Sequence, residues 1–218
     1  MAFAPALRRF TFTTHITSSV GWVGAVLVFL ALAAIGLTSQ DEKTVRGAYL
    51  VMAPAAWFVL VPLAHTALFS GIALSLGTPW GLIQHYWVAL KLVITAFSTV
   101  ILLIYLGTFR QMAGIAADPV VELGLVRNPS PLLHAVLALA LLLGATVLAI
   151  YKPFGLTPYG TRQRMRARPG PQGLPLAPPQ SIAVGKRRRW EYLLWIVGLA
   201  ILALIILSHL LGSGAHGH

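Results

Sequence analysis

Five apolar runs, at residues 16–37, 48–76, 84–109, 131–151 and 190–211, constrain this chain more than any other feature. Each is at least as long as the roughly 20 helical residues needed to cross a hydrocarbon core. A backbone inside a bilayer must satisfy its own hydrogen bonds, and none of the runs shows the alternating polar residues of a barrel strand. Each is therefore predicted to be a transmembrane α-helix. A soluble domain carries about a quarter charged residues; here the share is 10%, which argues against a soluble globular enzyme. The sequence has no cysteine, so disulfides, thiolate metal sites, iron–sulfur clusters and cysteine nucleophiles are excluded. Arg8 and Arg9 precede the first run as they would in a signal peptide. That run is too long for one, however, and no small-residue cleavage site follows it, so it is expected to be retained.

The charges indicate orientation. There are 16 Lys and Arg against 5 Asp and Glu, a formal net charge of +11. In a soluble chain that excess would suggest a nucleic-acid partner. Here eight of the cations, Arg162, Arg164, Arg166, Arg168, Lys186, Arg187, Arg188 and Arg189, fall in the segment 156–189, which contains no acid. Short loops rich in Lys and Arg stay on the cytoplasmic side. The expected path therefore starts inside with Arg8 and Arg9 and ends outside. The same segment is rich in Pro and Gly and is expected to be a flexible tether that rests on anionic lipid headgroups, each charge contributing about 1 kcal/mol near the surface. No nucleic-acid partner is expected. The predicted fold is an all-α polytopic membrane protein: a four-helix transmembrane bundle at 1–155, a basic Pro-rich cytoplasmic loop at 156–189, and a fifth transmembrane helix with a short external tail at 190–218.

Ionisable side chains within membrane spans are costly and usually mark a site. His15, His65, His85, Lys91, His134 and His209 are the residues in question. From the helical rise, His65 lies roughly 16 Å and Lys91 about 10 Å from the inner ends of their spans. His15 reaches a similar depth if the first helix begins before residue 16, and the three side chains would then converge in one leaflet. Pro62 precedes His65 and removes a backbone donor, so a kink is expected just before the histidine. A neutral imidazole binds haem iron and titrates near physiological pH, and it also serves as packing glue between helices. Lys91 either snorkels to the headgroups or pairs with a ligand carboxylate such as a haem propionate. No acid lies in the first four spans to neutralise it. Gly21, Gly24, Gly71, Ser75, Ala140 and Gly144 are expected to permit close helix approach. The phosphate-loop, dinucleotide, zinc and nucleophile-elbow motifs of soluble enzymes are absent.

The run His15-Ile-Thr-Ser-Ser-Val-Gly-Trp22-Val-Gly24 resembles the first-helix pattern of small bacterial membrane proteins related to the copper-resistance D-type domain and to the membrane-bound protoporphyrinogen oxidase. Trp87-Val-Ala-Leu-Lys91-Leu resembles their third helix, and Tyr151-Lys152-Pro153 the end of their fourth. The fuller pattern, with Lys-Pro-Phe-Gly-Leu-Thr-Pro-Tyr-Gly from Lys152, is similar to a family of actinobacterial integral membrane proteins. The likeness spans about residues 10–160. It implies a bundle of the bacterial cytoplasmic membrane that binds haem b in a redox or haem-handling role. By that likeness His15 is a ligand of the iron and Lys91 the functional lysine; His65 is added as a second nitrogen by the reading of its own span. The alternative expectation is a scaffold or accessory subunit that contacts lipid or a membrane protein partner, with every histidine serving packing.

Overall fold

The computed structural model describes residues 3–78, 81–152 and 155–167. The predicted helix at 190–211 lies outside them. The chain divides into two units, Met1–Gly155 and Leu156–His218.

In the first unit, α1 runs over Pro5–Thr38. It begins eleven residues before the predicted span because Pro5 supplies a preset first turn and nothing up to Thr14 breaks a helix. The second span starts with α2 (Glu42–Ala55), where Asp41 accepts hydrogen bonds from the Thr44 amide and hydroxyl. A π-helical turn at Ala56–Leu60 follows, and α3 occupies Val61–Leu76. That turn stands where the proline kink is expected. Pro54 and Pro62 each lack a backbone donor, and the Val61 amide reaches back to the carbonyl of Ala56 across the widened turn. Next come α4 (Tyr86–Ala117), the short α5 (Leu123–Val126) and α6 (Ser130–Tyr151). Four helical stretches, Pro5–Thr38, Glu42–Leu76, Tyr86–Ala117 and Leu123–Tyr151, are long and apolar enough to cross a membrane, as in a multi-pass membrane protein. Among the described residues there is no strand.

The helices pack with neighbours only. α1 lies against α2, α3 and α6, and α4 lies against the same three. α1 and α4 lie diagonally across the interior, where the rings of Phe29 and Phe109 meet, with α3 and α6 at the flanks. Large apolar side chains such as Phe10, Val20, Phe58 and Ile150 point outward, the arrangement expected when the surrounding solvent is hydrocarbon. Inside, Phe29, Tyr105 and Phe109 form an edge-to-face cluster. Of the glycines expected to permit close approach, Gly21 does so against Leu63 and Gly71 against the His15 ring, while Gly24 and Gly144 face open space.

Polar clamps fix the end of the unit where α1 finishes, α2 begins and α4 passes to α6. Arg46 donates to the carbonyls of Ala116, Asp118 and Val121, at 3.4, 2.8 and 2.6 Å. Arg127 caps the end of α1 through the carbonyls of Leu37 and Ser39, at 3.1 and 2.6 Å. The buried Tyr49 hydroxyl donates to the Asn128 carbonyl at 3.0 Å and accepts from its amide at 2.9 Å. Tyr49→Phe is expected to leave both Asn128 groups unpaired at a cost of about 1–3 kcal/mol. The unfolding midpoint in detergent should fall accordingly; an unchanged midpoint would show that the bond contributes nothing.

The Asp41 carboxyl is held below its usual range by the Thr44 hydroxyl and amide. A carboxylate depressed on folding stabilises above its unfolded value, about 3.9, and loses that contribution as the pH falls through the lower folded value. Asp41→Asn should therefore flatten the acid limb of the pH–stability curve, lowering stability at neutral pH and converging on wild type at the acid end. A difference between the two curves that stays constant from neutral pH down through the acid limb would contradict it.

In the second unit, Pro158–Ala167 forms α7. Here the structure departs from the expected featureless tether. Thr157 accepts from the Gly160 amide and Pro158 opens the first turn, so local capping starts a helix within a Pro-rich segment. Arg162 and Arg164 are exposed on it.

Candidate functional site

The buried stripe of α1 carries Thr11, Ser18, Trp22, Val26 and Phe29, and the 3.6-residue period places His15 on that stripe too. Its imidazole reaches α3, with Nδ1 3.0 Å from the Ala67 carbonyl and 3.2 Å from the Ser70 hydroxyl oxygen. A carbonyl can only accept, so the proton sits on Nδ1 and the lone pair on Nε2. Nε2 has no hydrogen-bond partner among the described residues. Gly71 makes the seat: a Cβ there would stand 3.0 Å from His15 Cε1. Thr11 and Ser18 bond carbonyls of their own helix, at Leu7 and Thr14, and leave the ring undisturbed.

Lys91 lies on the buried stripe of α4, across the interior and within coulombic reach of His15. Its ammonium has no hydrogen bond or ion pair among the described residues. The structure places His15 and Lys91 within coulombic reach of each other. It does not bring in His65. The face of α3 that meets the interior carries Ala64, Ala67 and Ser70; at 100° per residue His65 falls on the far side of the helix. There its Nδ1 donates to the Val61 carbonyl at 2.8 Å and its ring lies 6.0 Å from Phe69. His15 and His65 therefore do not fit as two ligands of one iron.

Of the other histidines, His134 donates to its own-helix Ser130 carbonyl at 2.8 Å and stacks on Tyr105 at 4.1 Å, at the opposite end of the helices. His85 is buried just ahead of α4, beside Trp87. No group of three His, Cys, Asp or Glu converges among the described residues. A metal held by protein ligands alone lacks its donor set there. A single oriented imidazole suits a metal whose other donors come with a cofactor, and a nearby cation without an acid suits a carboxylated one. His15 and Lys91 fit haem b on both counts.

Two residues the sequence reading did not single out as site residues share this interior. Ser98 is 7% exposed, and its hydroxyl is the one buried side-chain polar atom without a partner among the described residues. Trp22 is 3% exposed, and its indole N–H finds no acceptor among them. The sequence signal was available: each follows a candidate residue by seven positions, two helical turns on the same face. Comparison of the chain with protein-family models, curated proteins and solved structures gives no match.

Proposed function

We propose that this chain is an integral protein of the bacterial cytoplasmic membrane that binds haem b between α1 and α4 and serves a redox or haem-handling role. The observation that carries the reading is the His15 imidazole, anchored through Nδ1 with Nε2 unpartnered, opposite an ammonium that has no acid to pair with. An imidazole whose second nitrogen donates to a carbonyl is the usual arrangement of a metal-ligating histidine. The porphyrin iron supplies one-electron chemistry when bound. His15 would hold the iron, Lys91 would neutralise a propionate, and Ser70 and the Ala67 carbonyl would orient His15. With Arg8, Arg9 and the basic 156–189 segment inside, this end of the helices faces the cytoplasm. Arg162 and Arg164 on α7, with Arg166, Arg168 and the Lys186–Arg189 cluster, would then rest on anionic headgroups.

Titrating the purified full chain with haemin tests the reading. Wild type and His65→Ala are expected to take up haem alike, whereas Lys91→Met should weaken uptake about tenfold, the loss of one desolvated charge pair. Equal uptake by wild type and Lys91→Met would remove the lysine from the site. No saturable uptake by wild type would overturn the reading. A second reading, a scaffold or accessory subunit for a membrane protein partner, is favoured by one observation. His65 and His134 each bond a carbonyl of their own helix, as packing histidines do.

A further inference from the structure

Arg110 lies on the outer surface of the bundle, away from His15 and Lys91. The stripe of α4 that carries Leu103, Gly107, Arg110 and Gly114, at steps of four and three residues, is exposed throughout. It faces the surrounding hydrocarbon, where a charged side chain is rare and normally paired. Arg110 has no such pairing within the chain. Among the described residues it makes no hydrogen bond or ion pair, and its guanidinium instead lies over a ring, 5.6 Å from the centroid of Trp57. Trp57 stands in the π-helical turn, which packs on α4, and its indole N–H has no acceptor among the described residues. Such turns inside α-helices recur at functional sites. Here Ala56 and Leu60 are buried, while Trp57 is half exposed and carries the arginine on the surface. Gly107 and Gly114 flank Arg110 one turn to either side, and a Cβ on either would meet nothing within 4 Å. The surface on both sides of the arginine is therefore open.

Depth decides what can approach it. α4 has 32 residues, roughly 48 Å from the helical rise, against a hydrocarbon core of about 30 Å. Centred in a membrane, the helix overhangs the core by roughly 9 Å at each end. Arg110 stands seven residues before Ala117, roughly 10 Å from that end. Its Cα thus lies where acyl chains meet headgroups, on the side of the Arg46 and Arg127 clamps. The negatively charged acceptor at that level is the lipid phosphodiester, whose oxygens match the forked donors of a guanidinium. The rest of the headgroup is selected too. The ammonium of a choline or ethanolamine headgroup seeks an acid or an aromatic face; α4 carries no acid, and the Trp57 face is already covered by Arg110. We propose that Arg110 and Trp57 form a binding site for an anionic phospholipid whose headgroup has no amine, such as phosphatidylglycerol. The guanidinium donates to its phosphate and the indole N–H to the same lipid. This site is independent of haem and separate from the basic 156–189 segment.

Lipid retention by the full chain tests this. The protein in mild detergent is titrated with dioleoylphosphatidylglycerol or dioleoylphosphatidylcholine, and bound lipid is counted by native mass spectrometry. Wild type is expected to hold one phosphatidylglycerol more tightly than any further copies, and to hold phosphatidylcholine less tightly. Arg110→Gln should weaken that tightest phosphatidylglycerol about tenfold, the loss of one charge-assisted pair. Its unfolding midpoint without added lipid should match wild type, because the side chain is on the surface. Arg110→Lys keeps the charge without the fork and should recover part of the binding. Trp57→Leu should weaken it about threefold, one neutral hydrogen bond. Arg162→Gln with Arg164→Gln, on α7, should leave the tightest lipid in place. Equal retention of phosphatidylglycerol by wild type and Arg110→Gln would overturn the proposal, as would its loss in the α7 variant alone. Equal retention of the two lipids by wild type would also overturn it, leaving Arg110 as a cation that merely reaches the interface. Full retention in Trp57→Leu would remove the tryptophan from the site.

Discussion

His15→Ala is expected to abolish stoichiometric haem while leaving the folded protein intact. The ring contributes one inter-helix anchor, from Nδ1 to the Ala67 carbonyl and Ser70. Its loss should cost about 1 kcal/mol of stability, small beside the packing of α1 along α3 and α6. His65 cannot take over, because it lies behind α3 and bonds Val61. Free imidazole added to the variant should restore a coloured complex, since the space vacated by the ring remains beside Gly71. Haem retained at wild-type stoichiometry would remove His15 as the ligand. A variant that cannot be extracted as a monodisperse species would instead assign His15 to packing.

The second large effect is expected at Gly71. Even an alanine would bring its Cβ to 3.0 Å from Cε1 and 3.4 Å from Nδ1 of His15. Valine adds two methyls with a restricted rotamer in a helix and must push the imidazole out of its seat. Overpacking of this kind costs about 1–3 kcal/mol. Here it also breaks the bond that fixes the tautomer. Gly71→Val should therefore lose haem as completely as His15→Ala although it removes no ligand atom. Gly144→Val faces open space and should keep both stability and haem. Equal behaviour of the two glycine variants would contradict the close seat of the ring on α3.

The membrane-spanning helices were legible in the sequence because hydrocarbon leaves an apolar chain little choice but helix, and length alone sets the spans. The proline-linked distortion before His65 was legible for the same local reason. The face of α3 was not. A helix's depth counts residues, but its rotation is set by packing, and the π-helical turn at Ala56–Leu60 shifts the register between α2 and α3. His65 was therefore at the expected depth and on the wrong side. Ser98 was overlooked because serine in an apolar run usually bonds back to its own helix, as Ser18, Ser70 and Ser75 do here. Only the fold shows that Ser98 does not. The start of α7 turned on capping by Thr157, a signal hidden by the surrounding Pro and Gly.

The most direct test of haem binding at His15 is the visible spectrum of the full chain, expressed with ample haem and purified in mild detergent, read with an extracted-haem assay. One b-type haem per chain, with reduced bands that vanish in His15→Ala, is the result expected. A colourless, monodisperse protein would contradict the account and leave the scaffold reading in its place.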